Sequence, residues 1–381
     1  MSFSIDPVRQ EVLALAHTIV VKVGTNVLTL ADGRLNHDRL RGLASQLHRI
    51  RQLGKQVVLV SSGAIGAGIG LLQLPGRPTD LRRLQAAAAV GQCALMAAYE
   101  EYFSPFGYHA SQLLLTASDF DHRSRCLNVR NTIMTLFEWN CIPVINENDT
   151  VSVAEIKFGD NDQLAAMVTN LLRAPLLILL TNVDGLYSAD PGQDASATLL
   201  PTVSEIDARV TSLAGETRSS LGSGGMRSKL KAARLVTIAG DSVIMANGAA
   251  PNILEDILSA KPVGTLFLPR GGLVSARKRW IGLIAKPRGK LVVDVGASTA
   301  LTQKGKSLLP IGITDVAGHF SKGDVVSIVD HEGTELARGL SNYAAGDIWQ
   351  LRGKRSEEVQ SMLGRRAYEE VVHRDNLVLL H

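Results

Sequence analysis

At 381 residues the chain is too long for one core of ordinary size, so two domains, or one with a large appendage, are expected and a small disulfide scaffold is excluded. Hydrophobic residues at 45% and charged residues at 20% exclude a disordered or collagen-like polymer. The net charge of +4 is unevenly placed: residues 1–269 sum to −1, residues 270–288 to +6 with no acid, and residues 289–381 to −1.

In chain order, short Val/Ile/Leu-rich runs at 18–23, 56–61, 111–116, 141–146, 176–181 and 242–246 read as strands buried on both faces. Helical stretches at 81–103, 126–139 and 162–172 lie between them. Such alternation predicts an α/β domain, a parallel sheet with helices on both faces. The Gly- and Pro-rich basic segment 270–288 then marks a linker between a first domain, 1–269, and a second, 289–381. In the second, β-like runs at 291–295, 325–329 and 335–339 are separated by Gly turns, the pattern of a small β-barrel.

No apolar run reaches the roughly 18 residues that a membrane helix needs. Asp6, Pro7, Arg9 and Glu11 stand where a secretory signal would be apolar, so a cytoplasmic protein is expected. Three cysteines, Cys93, Cys126 and Cys141, without C-x-x-C spacing suit buried free thiols and give no zinc site.

In a doubly wound sheet, ligands bind where strands end. Polar and Gly-rich clusters follow strand after strand here, at 22–26 (KVGTN), 61–68 (SSGAIGAG), 146–149 (NEND), 159–162 (GDND), 181–185 (TNVDG) and 222–229 (GSGGMRSK). Bare N–H groups in such turns can cradle phosphate, although tight turns and close helix packing explain a single one equally well. The common nucleotide motifs fail: Ala300 replaces the first Gly of a P-loop before Gly305-Lys306-Ser307, and Leu71 occupies the last Gly of a G-x-G-x-x-G. Leu164 stands where a calcium loop from Asp160 would need a ligand.

KVGTN, VSSGAIGAG, INENDTVS, FGDNDQLAA, LLTNVDGLYSADP, GSGGMRSKL and GTLF, in this order, resemble the glutamate 5-kinase family of the amino acid kinase superfamily. GKLVVDVGA, SLLPIGI and GHFSKGDVVSI resemble a C-terminal PUA domain. The resemblance implies a three-layer sandwich with a mostly parallel sheet, joined to a small β-barrel-like domain. It also implies ATP-dependent phosphorylation of the side-chain carboxylate of L-glutamate, the first step of proline synthesis, with Mg2+ as cofactor and proline as feedback inhibitor. A homo-oligomer is expected.

By resemblance Lys22 and Lys229 supply cations to the transferring phosphoryl group and Asp162 organises them. Apart from the resemblance, a lysine flanked by Val20, Val21 and Val23 at a buried strand end needs a partner, and Asp162 read alone is a helix cap. Ser62, Asp149 and Asn161 match the substrate positions: Asp149 suits the ammonium, and Ser62 and Asn161 suit the carboxylates. For Asn146 and Asn148, turn formation and substrate binding both stay open. Nucleotide contacts would come from Lys22, Gly24, Thr181, Asn182, Ser223, Gly224, Gly225, Met226, Arg227, Ser228 and Lys229, with Asn182 standing where many relatives have Asp. No metal ligand is assigned. An ionised carboxylate nucleophile needs no general base, which accounts for the lack of an evident His or Cys system. PUA domains suggest RNA, but a domain relying on phosphate contacts should be basic. At −1 this one gives no such expectation, and the basic linker is expected to be a solvated hinge with Trp280 packed between the domains.

Overall fold

The computed structural model describes residues 5–30, 32–151, 161–214, 225–270, 276–363 and 368–380. Its contacts divide into one unit of Met1–Asp119 with Ser124–Leu273, and a second of Phe120–Arg123 with Val274–His381.

In the first unit, strands β1 (Thr18–Val23), β2 (Gln56–Val60), β3 (His109–Leu115), β4 (Cys141–Glu147), β5 (Leu176–Thr181), β6 (Thr202–Val203), β7 (Ser242–Asn247) and β8 (Thr265–Phe267) form one sheet, ordered β3-β4-β2-β1-β5-β7-β8-β6. Every pairing is parallel except β7 with β8. The six strands expected from the sequence are present, with ends moved by a residue or two. β6 and β8 are too short for an apolar pattern to register.

β1 is buried at every position, so both its faces are covered. Ile19, Val21 and Val23 join a core with Leu40 and Leu47 of helix His37–Gln52 and Tyr99 and Phe103 of helix Leu81–Phe103. Alternation along the strand sends Val20 and Lys22 to the opposite face. There helix Asn161–Leu172 packs on β1 and β5, beside helix Met226–Ile238. β1 has β2 on one side and β5 on the other, so the chain reverses its direction of winding at this strand. The carboxyl end of β1 is thus the point in an α/β sheet where a crevice opens.

Gly63 sits in the left-handed region, φ 102°, and turns β2 into helix Ala64–Leu71. Two further glycines serve packing. A Cβ on Gly68 would land on the Ala87 carbonyl oxygen, and one on Gly91 on the Ala64 carbonyl oxygen, so this helix and Leu81–Phe103 meet backbone to backbone. Cys126 is buried, but Cys93 is exposed and Cys141 half-buried. The expectation of three buried thiols therefore fails for Cys93, which the helix turns outward.

The second unit carries β9 (Gly289–Val293), β10 (Ile313–Gly318), β11 (Val325–Val329), β12 (Glu335–Leu340) and β13 (Leu377–Leu379) in the order β10-β9-β11-β12-β13, with only β9 and β11 parallel. Leu291, Val326, Ile328 and Ala337 lie in its core. β10 escaped the sequence reading because only its first residue is buried, leaving no apolar alternation to see. Residues 276–288, expected as a solvated hinge, belong to this second unit. Helix Ala276–Arg279 runs into a π turn at Trp280–Ile284, closed by the Ala285 N–H on the Trp280 carbonyl at 2.8 Å. Trp280 is buried and donates its Nε1–H to the Phe120 carbonyl at 3.1 Å, while the Lys286 N–H reaches Asp121 Oδ1 at 3.1 Å. A run of apolar residues from Trp280 to Ile284 inside the basic segment explains the burial.

Candidate active site

Four parallel strands deliver polar residues to one sheet edge. Lys22 lies in β1, Ser61 and Ser62 follow β2, Asn146 is near the end of β4 and Thr181 ends β5. Register places Lys22 level with Val60 of β2 and Leu179 of β5, which fixes its depth beneath the turns that follow those strands.

Asp162, the second residue of helix Asn161–Leu172, is 1% exposed and holds two cations. Lys22 Nζ lies 2.5 Å from its Oδ1, and Lys229 Nζ lies 3.1 Å from its Oδ2. Ser228 Oγ donates to the same Oδ2 at 3.1 Å. Burial pushes the Asp162 carboxyl up, but the charges of Lys22 and Lys229 outweigh it and bring the pKa down to about 2. The group is therefore a carboxylate at any physiological pH. Lys229 stands in the first turn of helix Met226–Ile238, after Gly225 as N-cap, where exposed N–H groups add positive potential.

Asn161 is the hub of a second cluster. Its Nδ2 donates to the Ser61 carbonyl at 2.8 Å, Ser62 Oγ at 2.9 Å and Asn146 Oδ1 at 3.0 Å. Asn146 in turn donates to Gln92 Oε1 at 2.8 Å. Ser61 Oγ pairs with Tyr99 OH at 2.8 Å, and burial raises the Tyr99 hydroxyl well above its ordinary value, so it stays protonated. Because Asn161 and Asp162 are consecutive, one helix start joins this amide cluster to the lysine pair.

The expected site residues thus fall into groups. Lys22, Asp162, Ser228 and Lys229 meet directly, as do Ser62 and Asn161. Asp149 is half-buried in the turn after β4, where Asn148 also takes part through the Val151 N–H on its carbonyl at 3.2 Å. Asn146 is no turn residue: it is a buried strand position tied into the amide cluster. Thr181 Oγ1 donates to the exposed Asn182 at 3.2 Å. Gly24 caps the short helix Thr25–Leu28 at the end of β1, and Met226 and Arg227 open helix Met226–Ile238. Ser223 and Gly224, with Gly159 and Asp160, lie outside the described residues.

Gln92 and Tyr99 were missed by the sequence reading, since both sit inside a long helix whose pattern reads as core. Asp184 was missed as well. It accepts from Asn247 Nδ2 at 2.9 Å and from Tyr187 OH at 3.2 Å, tying the turn after β5 to the end of β7.

Buried lysines clamped by one carboxylate beneath the ends of parallel strands are suited to hold a polyphosphate. Residues 17–247 match the Amino acid kinase family and residues 289–363 the PUA domain. The chain belongs to the amino acid kinase family. Among curated relatives, Glutamate 5-kinase of Geobacter sulfurreducens is 46% identical over 98% of this chain and 100% of its own length. The protein of the same name from Caldanaerobacter subterraneus is 46% identical over 95% and 97%. That from Moorella thermoacetica is 45% identical over 97% of each. A solved carbamate kinase from Giardia lamblia bound to AMP-PNP, at 17% identity and TM-score 0.48 over 68% of this chain and 100% of its own, is too remote to bear on the site. Among the described residues no helix is long and apolar enough to cross a membrane.

Proposed function

We propose that this amino acid kinase transfers the γ-phosphoryl group of ATP to the side-chain carboxylate of L-glutamate, forming L-glutamyl 5-phosphate at the start of proline synthesis. The observation that carries this reading is the Lys22–Asp162–Lys229 triad, supported by near full-length relatives that bear the name Glutamate 5-kinase.

The glutamate carboxylate is ionised at neutral pH and attacks without losing a proton. The obstacle is the repulsion between that anion and the nucleotide phosphates as charge spreads in the transition state. Lys22 and Lys229 answer it with two preorganised ammonium groups. Asp162 aims both while staying out of the reaction, because its oxygens are already occupied. Gly24, Thr181, Asn182 and Gly225 to Ser228 would bind the nucleotide. Among the described residues no group of three or more His, Cys, Asp or Glu side chains is placed for a metal. A magnesium ion bound with the nucleotide would neutralise phosphate charge. Ser62, Asp149 and Asn161 would bind the amino acid, with proline as a competitor for the same place.

Glutamate-dependent ADP release is the decisive assay, with aspartate and N-acetylglutamate as controls. Release with glutamate alone supports the reading; equal release with aspartate or N-acetylglutamate, or none with glutamate, refutes it. Proline should raise the KM for glutamate and leave kcat unchanged, and inhibition that excess glutamate does not relieve would exclude an overlapping site.

A further inference from the structure

Asn161 opens helix Asn161–Leu172 with an amide whose two ends are in opposite conditions. Nδ2 faces three oxygens, the Ser61 carbonyl at 2.8 Å, Ser62 Oγ at 2.9 Å and Asn146 Oδ1 at 3.0 Å. Two of these can only accept. The Ser61 carbonyl carries no proton, and Asn146 shows its oxygen here because the Glu147 backbone N–H donates to that same atom at 2.9 Å. Turning the Asn161 amide over would set its oxygen against both, so its orientation is fixed from two sides. An amide nitrogen has two protons, and three acceptors already share them. Nothing of Nδ2 is left for a ligand.

Oδ1 is buried and has no hydrogen-bond partner. Buried acceptors are ordinarily satisfied, so a donor from a ligand is its natural complement. It stands one residue from the carboxylate that holds Lys22 and Lys229, at the junction of the amide cluster and the lysine pair. Ser62 is the converse case: its oxygen accepts from Asn161, which leaves the hydroxyl proton to donate.

We propose that Asn161 recognises the α-ammonium of the substrate through Oδ1, and so makes the site select a 2-amino dicarboxylate over the same dicarboxylate without its nitrogen. This rests on the glutamate kinase reading and replaces the carboxylate role expected of Asn161 with that of an acceptor. An ammonium has three protons, enough for Oδ1 and the Asp149 carboxylate together. Ser62 keeps its part as a donor to a substrate carboxylate.

Glutarate is glutamate without the amine, with both carboxylates kept. Calorimetric titration of each ligand into the parent protein and into Asn161→Ala therefore separates the two roles. The parent should bind glutamate about tenfold or more tightly than glutarate, as expected when a buried acceptor is left unpaired. In Asn161→Ala that preference should shrink by about threefold or more, because the variant no longer has the acceptor that glutarate fails to satisfy. A preference that shrinks by less than about threefold, with both ligands weakened alike, would assign Asn161 to a carboxylate or to structure and overturn the proposal. A parent protein that binds glutarate as tightly as glutamate would overturn it too. Should Asn161→Ala fail to fold, 2-hydroxyglutarate, whose hydroxyl can donate, and 2-oxoglutarate, whose carbonyl can only accept, are titrated into the parent. A preference of about threefold or more for the hydroxy acid is expected, and a smaller one overturns the proposal. Absence of glutamate-dependent ADP release from the parent protein would instead refute the kinase reading itself.

Discussion

Two ammonium groups and one carboxylate in a site nearly closed to water depend on each other for their charges. Removing the carboxylate by Asp162→Asn leaves Lys22 and Lys229 buried without it, a change that costs about 3–5 kcal/mol when a buried pair is broken. Thermal unfolding should show that loss, and glutamate-dependent ADP release should fall by at least about 10². Lys22→Ala and Lys229→Ala each remove one donor to the transferring group and should lower kcat by about 10² to 10³; a loss below tenfold would take that lysine out of the chemistry. The pH dependence follows from the direction of the Asp162 shift. Its pKa is depressed from 3.8 to about 2 on folding, so the stability it confers is complete above pH 4 and is lost as pH falls toward 2. That contribution is about 2 kcal/mol, and the Asp162→Asn protein should lack it in acid unfolding curves. Asp149 belongs to the same scale. On the proposed binding of the substrate ammonium by Asp149, Asp149→Asn should raise the KM for glutamate much more than that for ATP, and equal rises would mark a structural role.

At the scale of elements, the Gly-rich turn after β2 shows how a sequence pattern divides its duties. Gly63 serves the turn by its positive φ, whereas Gly68 serves the contact with helix Leu81–Phe103. Gly68→Ala or Gly91→Ala must force two backbones apart, and each should reduce soluble, folded protein or lower the melting temperature by several degrees. A melting temperature within a degree of the parent would show that the helices can separate freely. The six long strands of the first sheet were legible because strands buried on both faces read as unbroken apolar runs. A lysine inside such a run demands a counter-charge, so Lys22 could be read as needing a partner, but Asp162 as that partner came from the family resemblance. Gln92 carried no such signal. Its polarity lies inside an alanine-rich helix, and only the bond from Asn146, on a distant strand, reveals what its amide does. Strand β10 stayed hidden because it faces solvent, and the grouping of residues 276–288 with the second unit because the charges there outweighed the apolar run that begins at Trp280.

For the whole molecule, every residue assigned to catalysis precedes residue 230, and the first unit holds its own core and complete sheet. A chain ending after Arg270 keeps the Arg270 ion pair with Glu205 at 3.0 Å and its N–H bond to the Thr237 carbonyl at 2.8 Å, both inside the first unit. The cut is not clean, because Phe120–Arg123 group with the second unit and the Phe120 carbonyl would lose the Trp280 indole. Phe120, 1% exposed in the full chain, groups with the part removed and should lose cover in the truncated one. Truncation alone should therefore give protein prone to aggregation, whereas truncation with Phe120→Ser should be soluble. That shortened protein should phosphorylate glutamate with kcat within about tenfold of the full chain, since no donor to the transition state has been removed. Circular dichroism and ADP release on the same sample decide the matter. A folded but inactive protein would mean that the second unit completes the site, and activity retained together with altered inhibition by proline would assign that unit to regulation.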